Sequence, residues 1–341
     1  MNIKVKFIKT KAVKAKLAGT LMHALVCTCL MAMTSHALAQ SSAPTEQVPR
    51  NTAPLLLETH TMLEKQLGKT AFGRPLVLES FETAGNVSGN AYAVVDAPFA
   101  TVSTAFKSAA PWCEVMMLHI NTKYCQATSQ TSPGTLKVSV GKKTPQALDD
   151  AFTLEFAMRQ MSVSPGYLAL QLNAEKGPLG TNNYLVQLQA VPLPSGKTFM
   201  HLRYAYSYGV AARLAMQGYL ATAGSGKVGF TRTNANAGAS TDQKQSYVGG
   251  MRGAVERNTV RYYLAIEAYL ASLDRPPAQQ LQARLEHWFD ATEQFPQQLR
   301  EIDRSSYLSM KREEYSRQRA LEPIRPQASP KPALLKPALP G

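Results

Sequence analysis

The sequence predicts an α+β fold: an antiparallel sheet curled around one long C-terminal helix, followed by a helical extension. Three observations point there. Between Leu136 and Tyr208, five segments alternate apolar and polar residues with a period of two. From Tyr247 to Leu273 the apolar residues step by three and four instead. Beyond Pro276-Pro277 two more amphipathic helical stretches follow, and no strand pattern returns.

The chain has 341 residues and a formal net charge of +14. It begins with Lys4, Lys6, Lys9, Lys11, Lys14 and Lys16 and no acid, then an apolar run from Leu17 to Met33, then Ala37-Leu38-Ala39. A basic, an apolar and a small-residue region in that order predict a secretory signal peptide over residues 1–39, cleaved after Ala39. The expected location is periplasmic or secreted. An uncleaved anchor is the alternative. Thr20, His23 and Thr28 interrupt the apolar run, which is shorter than the ~20 residues of a spanning helix. Lipid attachment at Cys27 or Cys29 is disfavoured, because small residues do not precede them. Without the six leading lysines the net charge falls to +8. That excess is dispersed, which argues against a nucleic-acid partner and is compatible with anionic lipid headgroups or cell-wall polymers. No segment after cleavage is long and apolar enough to span a membrane.

Only Cys113 and Cys125 survive cleavage. In an oxidising compartment the pair predicts one disulfide, worth roughly 3 kcal/mol through restriction of the unfolded chain. A pair of free buried thiols is the other reading. The spacing is not that of a Cys-x-x-Cys redox motif.

Gln40 to Ala53 reads as a flexible lead-in. Leu55 to Leu67 has helical spacing and stops at Gly68. Leu76–Ser80 and Asn90–Val95 read as strands, the second entered through turns at Gly85 and Gly89. Asp96 is placed to cap a short helix, with Pro98 in its first turn and Phe99, Val102 and Phe106 on one face. The five alternating strands carry Leu136-Val138-Val140, Phe152-Leu154-Phe156-Met158, Tyr167–Leu172, Tyr184-Val186-Leu188 and Leu202-Tyr204-Tyr206-Tyr208. Gly- and Pro-rich turns between them predict a meander with one apolar and one wet face. Val210–Ala221 is helical, and Gly224–Ser246 is a Gly, Ser, Asn and Thr-rich loop. In the long helix Met251, Val255, Tyr262, Ile266, Tyr269 and Leu273 share one side. Arg252 and Glu256, and Arg257 and Arg261, fall on other sides. Residues 276–320 form the extension, and 321–341 a disordered Pro-rich tail.

This order of elements resembles the helix-grip fold of the START-like (SRPBCC) superfamily, which includes START lipid-transfer domains and polyketide cyclase-like proteins. Asn90–Phe106 (a strand running through Ala97-Pro98-Phe99 into a helix), the strands from Leu136 to Tyr208 and the helix from Val248 to Leu273 carry the resemblance. It covers residues 54–275 and implies an apolar cavity between sheet and long helix. Phe152, Phe156, Tyr184, Leu188, Tyr204 and Tyr206 would line it from the sheet. Tyr262, Ile266 and Tyr269 would close it from the helix. The implied partner is a lipid or other hydrophobic small molecule, held by apolar burial at ~25 cal/mol per Å² and oriented by tyrosine hydroxyls. The same residues at the same spacing equally describe a solid core.

No catalytic constellation stands out. His60, His119, His201 and His287 lie far apart without zinc spacing, and Gly-x-Ser-x-Gly is missing. Gly224-Ser225-Gly226-Lys227 lacks the remaining residues of a phosphate loop and reads as a turn. Glu155 with Arg159, and His201 with Arg203, are expected to face solvent. Lys311-Arg312-Glu313-Glu314 predicts a solvated helix face, or a docking surface for an envelope protein partner over residues 278–319. Neither metal nor cofactor is implied. The expectation is an exported binding protein for a hydrophobic ligand. The alternatives are a non-enzymatic envelope interaction protein with a solid core and a cyclase- or hydrolase-like enzyme on the same fold.

Overall fold

The order of strands follows from one excursion of the chain. In the computed structural model, which describes residues 53–128, 134–222, 224–233 and 246–321, β1 (Leu76–Thr83) and β2 (Asn86–Val95) form a hairpin. The chain then leaves the sheet through α2 (Phe99–Phe106) and α3 (Ala109–Leu118) and re-enters at the far edge as β3 (Thr122–Ala127). From there β4 (Thr135–Val140), β5 (Phe152–Ser164), β6 (Tyr167–Lys176), β7 (Thr181–Pro192) and β8 (Thr198–Tyr208) meander back, until β8 pairs with β2. Among the described residues the result is one antiparallel eight-stranded sheet, ordered β1-β2-β8-β7-β6-β5-β4-β3.

α4 (Val210–Ala221) follows the sheet. A two-residue ladder of β9 (Arg232–Thr233) and β10 (Ser246–Tyr247) leads into α5 (Gly250–Ser272). The long helix therefore starts three residues later than its apolar spacing predicts. Tyr247 is held in the ladder, and Gly250 adopts a left-handed φ of 59° at the first helical position, a conformation that favours glycine. α5 lies across β1, β2 and β8, while α3 lies on β3 and β4 and also touches α5. Both edges of the sheet thus meet the same helical layer, and the sheet closes around it as a helix grip. Gly89 belongs to β2 rather than to a turn. A Cβ there would collide with Thr259 of α5, so the glycine sets how closely helix and sheet approach.

Alternation along the central strands supplies two apolar faces. Leu168, Leu170, Val186, Leu188, Met200 and Leu202 point to the main core. Tyr167, Ala169, Val191 and Phe199 point the other way, where Leu56, Leu63 and Leu67 of α1 (Ala53–Gly68) cover them. The predicted helical spacing of residues 55–67 is the footprint of this second layer.

α6 (Pro277–Glu293), α7 (Pro296–Leu299) and α8 (Arg304–Leu321) complete the described chain. They pack on the outer side of α5 and on α3 and β3. The Trp288 indole donates to the Arg261 carbonyl at 3.1 Å, and the Tyr307 hydroxyl donates to the Leu118 carbonyl at 2.9 Å. Squeezed between sheet and extension, α5 is buried nearly all round. Glu256, Arg257 and Arg261 are consequently inside, not on solvent-facing sides. The charged stretch of α8 also differs from expectation. Lys311 and Glu314 turn inward, and only Arg312 and Glu313 stay exposed.

The Cys113–Cys125 disulfide is present, tying α3 to β3 across 5.2 Å between Cα atoms. The N-cap of α2 is Pro98, not Asp96, which instead pairs with Lys197 at 3.5 Å on the surface. The helix begins two residues later than expected, with Pro98 in an extended N-cap conformation and no side-chain capping bond there. Residues 1–39, nearly all of the lead-in, most of the 224–246 loop and the Pro-rich tail from 322 lie outside the described residues.

Candidate functional site

α5 rests on the β1, β2 and β8 end of the sheet and α3 on the β3–β4 end, leaving a gap in the helical layer between them. A cavity of about 830 Å³ opens in that gap. β4 and β5 supply its apolar wall through Val138, Val140, Leu154 and Phe156. These are the inward positions of the period-two pattern, which is why they stand side by side across the β4–β5 register, Val138 opposite Leu154 and Leu136 opposite Phe156. Phe152 and Leu179 form part of the mouth and remain 40% and 73% exposed.

Tyr184 of β7, Tyr204 of β8 and Tyr262 of α5 form an aromatic belt across the cavity. The Tyr204 ring lies 5.2 Å from Tyr262 and 6.3 Å from Tyr184. His119, at the C-cap of α3, continues the belt, with its ring 5.2 Å from Tyr262. The belt joins sheet, long helix and the α3 corner in one surface of the cavity.

Of the nine residues expected to line a cavity, five do so: Phe152, Phe156, Tyr184, Tyr204 and Tyr262. The other four are packed elsewhere. Leu188 and Ile266 have no access to solvent at all. Tyr206 stacks behind Tyr184 at 5.3 Å. Tyr269 sits two turns further along α5, between Phe106 at 5.7 Å and the Arg284 guanidinium at 4.5 Å. All four occupy the anticipated face. They differ in their height along strand or helix, where the core is filled.

The site also contains polar residues that no sequence pattern marks. His119 accepts a hydrogen bond at Nδ1 from the Asn121 backbone N–H at 3.2 Å. The Nε2 atom of the neutral ring therefore carries the proton, with the Asn258 side chain as its neighbour and no well-aligned hydrogen bond to it. Burial, then the Arg261 and Lys311 charges, hold the ring well below the usual imidazole range, so it stays neutral. The Asn258 side chain lies against both His119 and Tyr204. Burial raises the Tyr184, Tyr204 and Tyr262 hydroxyls above their ordinary range, so all three stay protonated and can donate or accept.

Lys142 and Lys143 stand on the lining, with Asp150 as its carboxylate. Lys143 contacts Glu301 at 2.8 Å and the Tyr219 hydroxyl at 2.9 Å. Glu301 also binds Arg261 at 2.6 Å and Lys227 at 3.7 Å. Burial alone would raise the Glu301 carboxyl. Arg261, Lys143 and Lys227 outweigh it and hold the group below its usual value.

A second hollow, of about 850 Å³, lies at the β3–β6 end and is bordered by Lys137, Glu155, Glu175 and Lys176. Its charged, exposed walls suit water better than an apolar ligand. Glu155 pairs with Lys137 at the surface, and His201 stacks on Tyr92 at 4.4 Å and bonds Asn90. Neither of the two strand-face pairs noted in the sequence reaches the cavity. Among the described residues, no three of His, Cys, Asp or Glu gather as metal ligands.

The sequence matches no protein-family profile and no curated protein. Solved structures that align with the chain include human StAR-related lipid transfer protein 5. It is 11% identical, covers 50% of this chain and 89% of its own, and has a TM-score of 0.30. The di-domain ARO/CYC BexL from the BE-7585A biosynthetic pathway is 13% identical over 69% of this chain and 58% of its own, with a TM-score of 0.30. A protein from Arthrobacter aurescens is 12% identical over 55% of this chain and 88% of its own, with a TM-score of 0.27. The helix-grip architecture described above rests on the chain's own strand order and the placement of α5.

Proposed function

We propose that this is an exported binding protein that holds a lipid or other hydrophobic small molecule between the sheet and α5. The observation that carries the reading is the 830 Å³ cavity with its apolar β4–β5 wall, facing a belt of protonated tyrosines. Its volume falls within the range of small-molecule sites. Apolar walls draw in a hydrocarbon by removing it from water, and a few fixed hydroxyls orient the polar end. Export is supported by the order of basic, apolar and small residues at the start of the sequence and by the buried disulfide, a bond that persists in oxidising compartments. Among the described residues no helix is long and apolar enough to cross a membrane.

Residues 278–319 are less available to an envelope protein partner than the sequence suggests. Trp288, Phe289, Tyr307, Met310 and Tyr315 are spent on the internal faces of α6 and α8. The test is titration with an apolar fluorophore such as N-phenyl-1-naphthylamine. Saturable binding at one site, displaced by long-chain amphiphiles, is expected. A signal that never saturates contradicts the reading.

A further inference from the structure

The polar end of the cavity is strongly unbalanced in charge. Lys143, Lys227, Arg257 and Arg261 all act on one carboxylate, Glu301, and of these Lys143 stands on the cavity lining. Lys142 adds a further cation on the lining, against Asp150 on the exposed rim. Arg257 and Arg261 are buried, and Arg257 donates to the Val228 carbonyl at 3.1 Å. On the lining itself Lys142 and Lys143 face one carboxylate, Asp150, while behind Lys143 the buried Arg257 and Arg261, with Lys227, share Glu301, where charge is screened poorly. Neutral donors stand beside them: His119, Asn258, Tyr204, Tyr219 and Tyr262. The Nε2–H of His119 has the Asn258 side chain as its neighbour but no well-aligned hydrogen bond to it, and leaving such a donor poorly satisfied is costly.

Resting on the reading of this cavity as a ligand site, we propose that it selects an amphiphile with an anionic oxygen head. The chain lies along Val138, Leu154 and Phe156, and the head lies toward Lys143, His119 and Asn258. An oxyanion supplies both things this corner lacks, negative charge and hydrogen-bond acceptors. An alcohol head supplies only acceptors. An ammonium head supplies neither and meets like charge. Carboxylate and phosphate monoester share the required chemistry and differ in charge and size.

The experiment compares dodecanoate, dodecyl phosphate, 1-dodecanol and dodecylammonium, four heads on one chain, by competition against the apolar fluorophore on the folded full chain. Dodecanoate, dodecyl phosphate or both should bind at least about tenfold more tightly than 1-dodecanol, and dodecylammonium most weakly. The relative affinity of the two anions identifies which head the site takes. In Lys143→Gln and in His119→Phe the advantage of the anion over the alcohol should shrink several-fold. Lys143 is only half-buried, so its variant keeps the test valid if His119→Phe does not fold. Equal binding of all four heads, or an anion preference unchanged in Lys143→Gln, overturns the proposal and leaves the hydrophobic-ligand reading intact. Failure of all four to displace the probe overturns both.

Discussion

Lys123 and Glu314, 191 residues apart in sequence, meet at 2.8 Å with side chains almost entirely shut off from water. Lys311 reaches the other oxygen of the same carboxylate, also at 2.8 Å. Two buried ammonium groups thus share one buried carboxylate, and this triad fastens α8 to β3. Burial pulls Lys311 down to about 8, with Glu314 opposing that shift, so the group remains protonated at neutral pH.

The triad predicts an asymmetry. Glu314→Gln leaves two uncompensated buried charges and should cost about 3–5 kcal/mol. Lys311→Met leaves the Lys123–Glu314 pair balanced and should cost much less, at most the loss of a donor to the Thr122 carbonyl. Urea denaturation of both variants checks this. Equal destabilisation would show that the charges are not coupled in the way the geometry requires.

How far the sequence foretold these features depended on the kind of signal. Alternation and helical stepping put Phe156, Tyr204 and Tyr262 on the face that borders the cavity, because they report which face a side chain occupies. Leu188 and Ile266 share that face but are packed away from the cavity, because periodicity does not report height along the element. Lys311 and Glu314 stand in a charge-dense run, and nothing near them in sequence announces Lys123. His119 and Asn258 are isolated polar residues, meaningful only once α3 and α5 meet. The order of elements, a sheet followed by one long helix, was legible because it is carried by long, strongly patterned segments. The outer layer formed by α1 was not, since a helix covering the reverse of a sheet has the same spacing as one covering its front.

The disulfide closes the corner that presents His119. Cys113 and Cys125 are both buried, so replacing them with alanine or serine should lower stability by about 2–4 kcal/mol. Chemical denaturation of the double variant beside the oxidised wild type measures the loss. An unchanged midpoint with an unchanged slope would contradict the structural role.

Acid should weaken the fold before the carboxylates titrate. His119 is held low by burial, then by Arg261 and Lys311, and His201 is lowered to about 4 by burial, then by Arg203. In the unfolded chain both return to about 6.5. Between pH 6.5 and 4 the unfolded state binds protons that the folded state refuses, so stability is lost as pH falls through this window. For His201 the loss is on the order of 2 kcal/mol. Unfolding midpoints from pH 7 to 4.5 should fall less steeply in His201→Gln than in wild type. Parallel slopes would contradict the assignment.

Filling the cavity separates an open site from a solid core. Val138→Phe projects an aromatic ring from the β4 wall into the gap. In an open site it should weaken binding of the apolar fluorophore at least tenfold at little cost in stability. In a solid core the same change would overpack and cost about 1–3 kcal/mol. Fluorophore titration and thermal unfolding of the one variant decide between these outcomes.

The most direct measurement is native mass spectrometry of the protein recovered from its own cells, before and after organic extraction. A mass excess that extraction removes, and whose extract contains an amphiphilic molecule, is the predicted result. A mass equal to that of the bare polypeptide, together with no uptake when the protein is incubated with lipid extract from the same cells, would contradict a ligand-holding cavity.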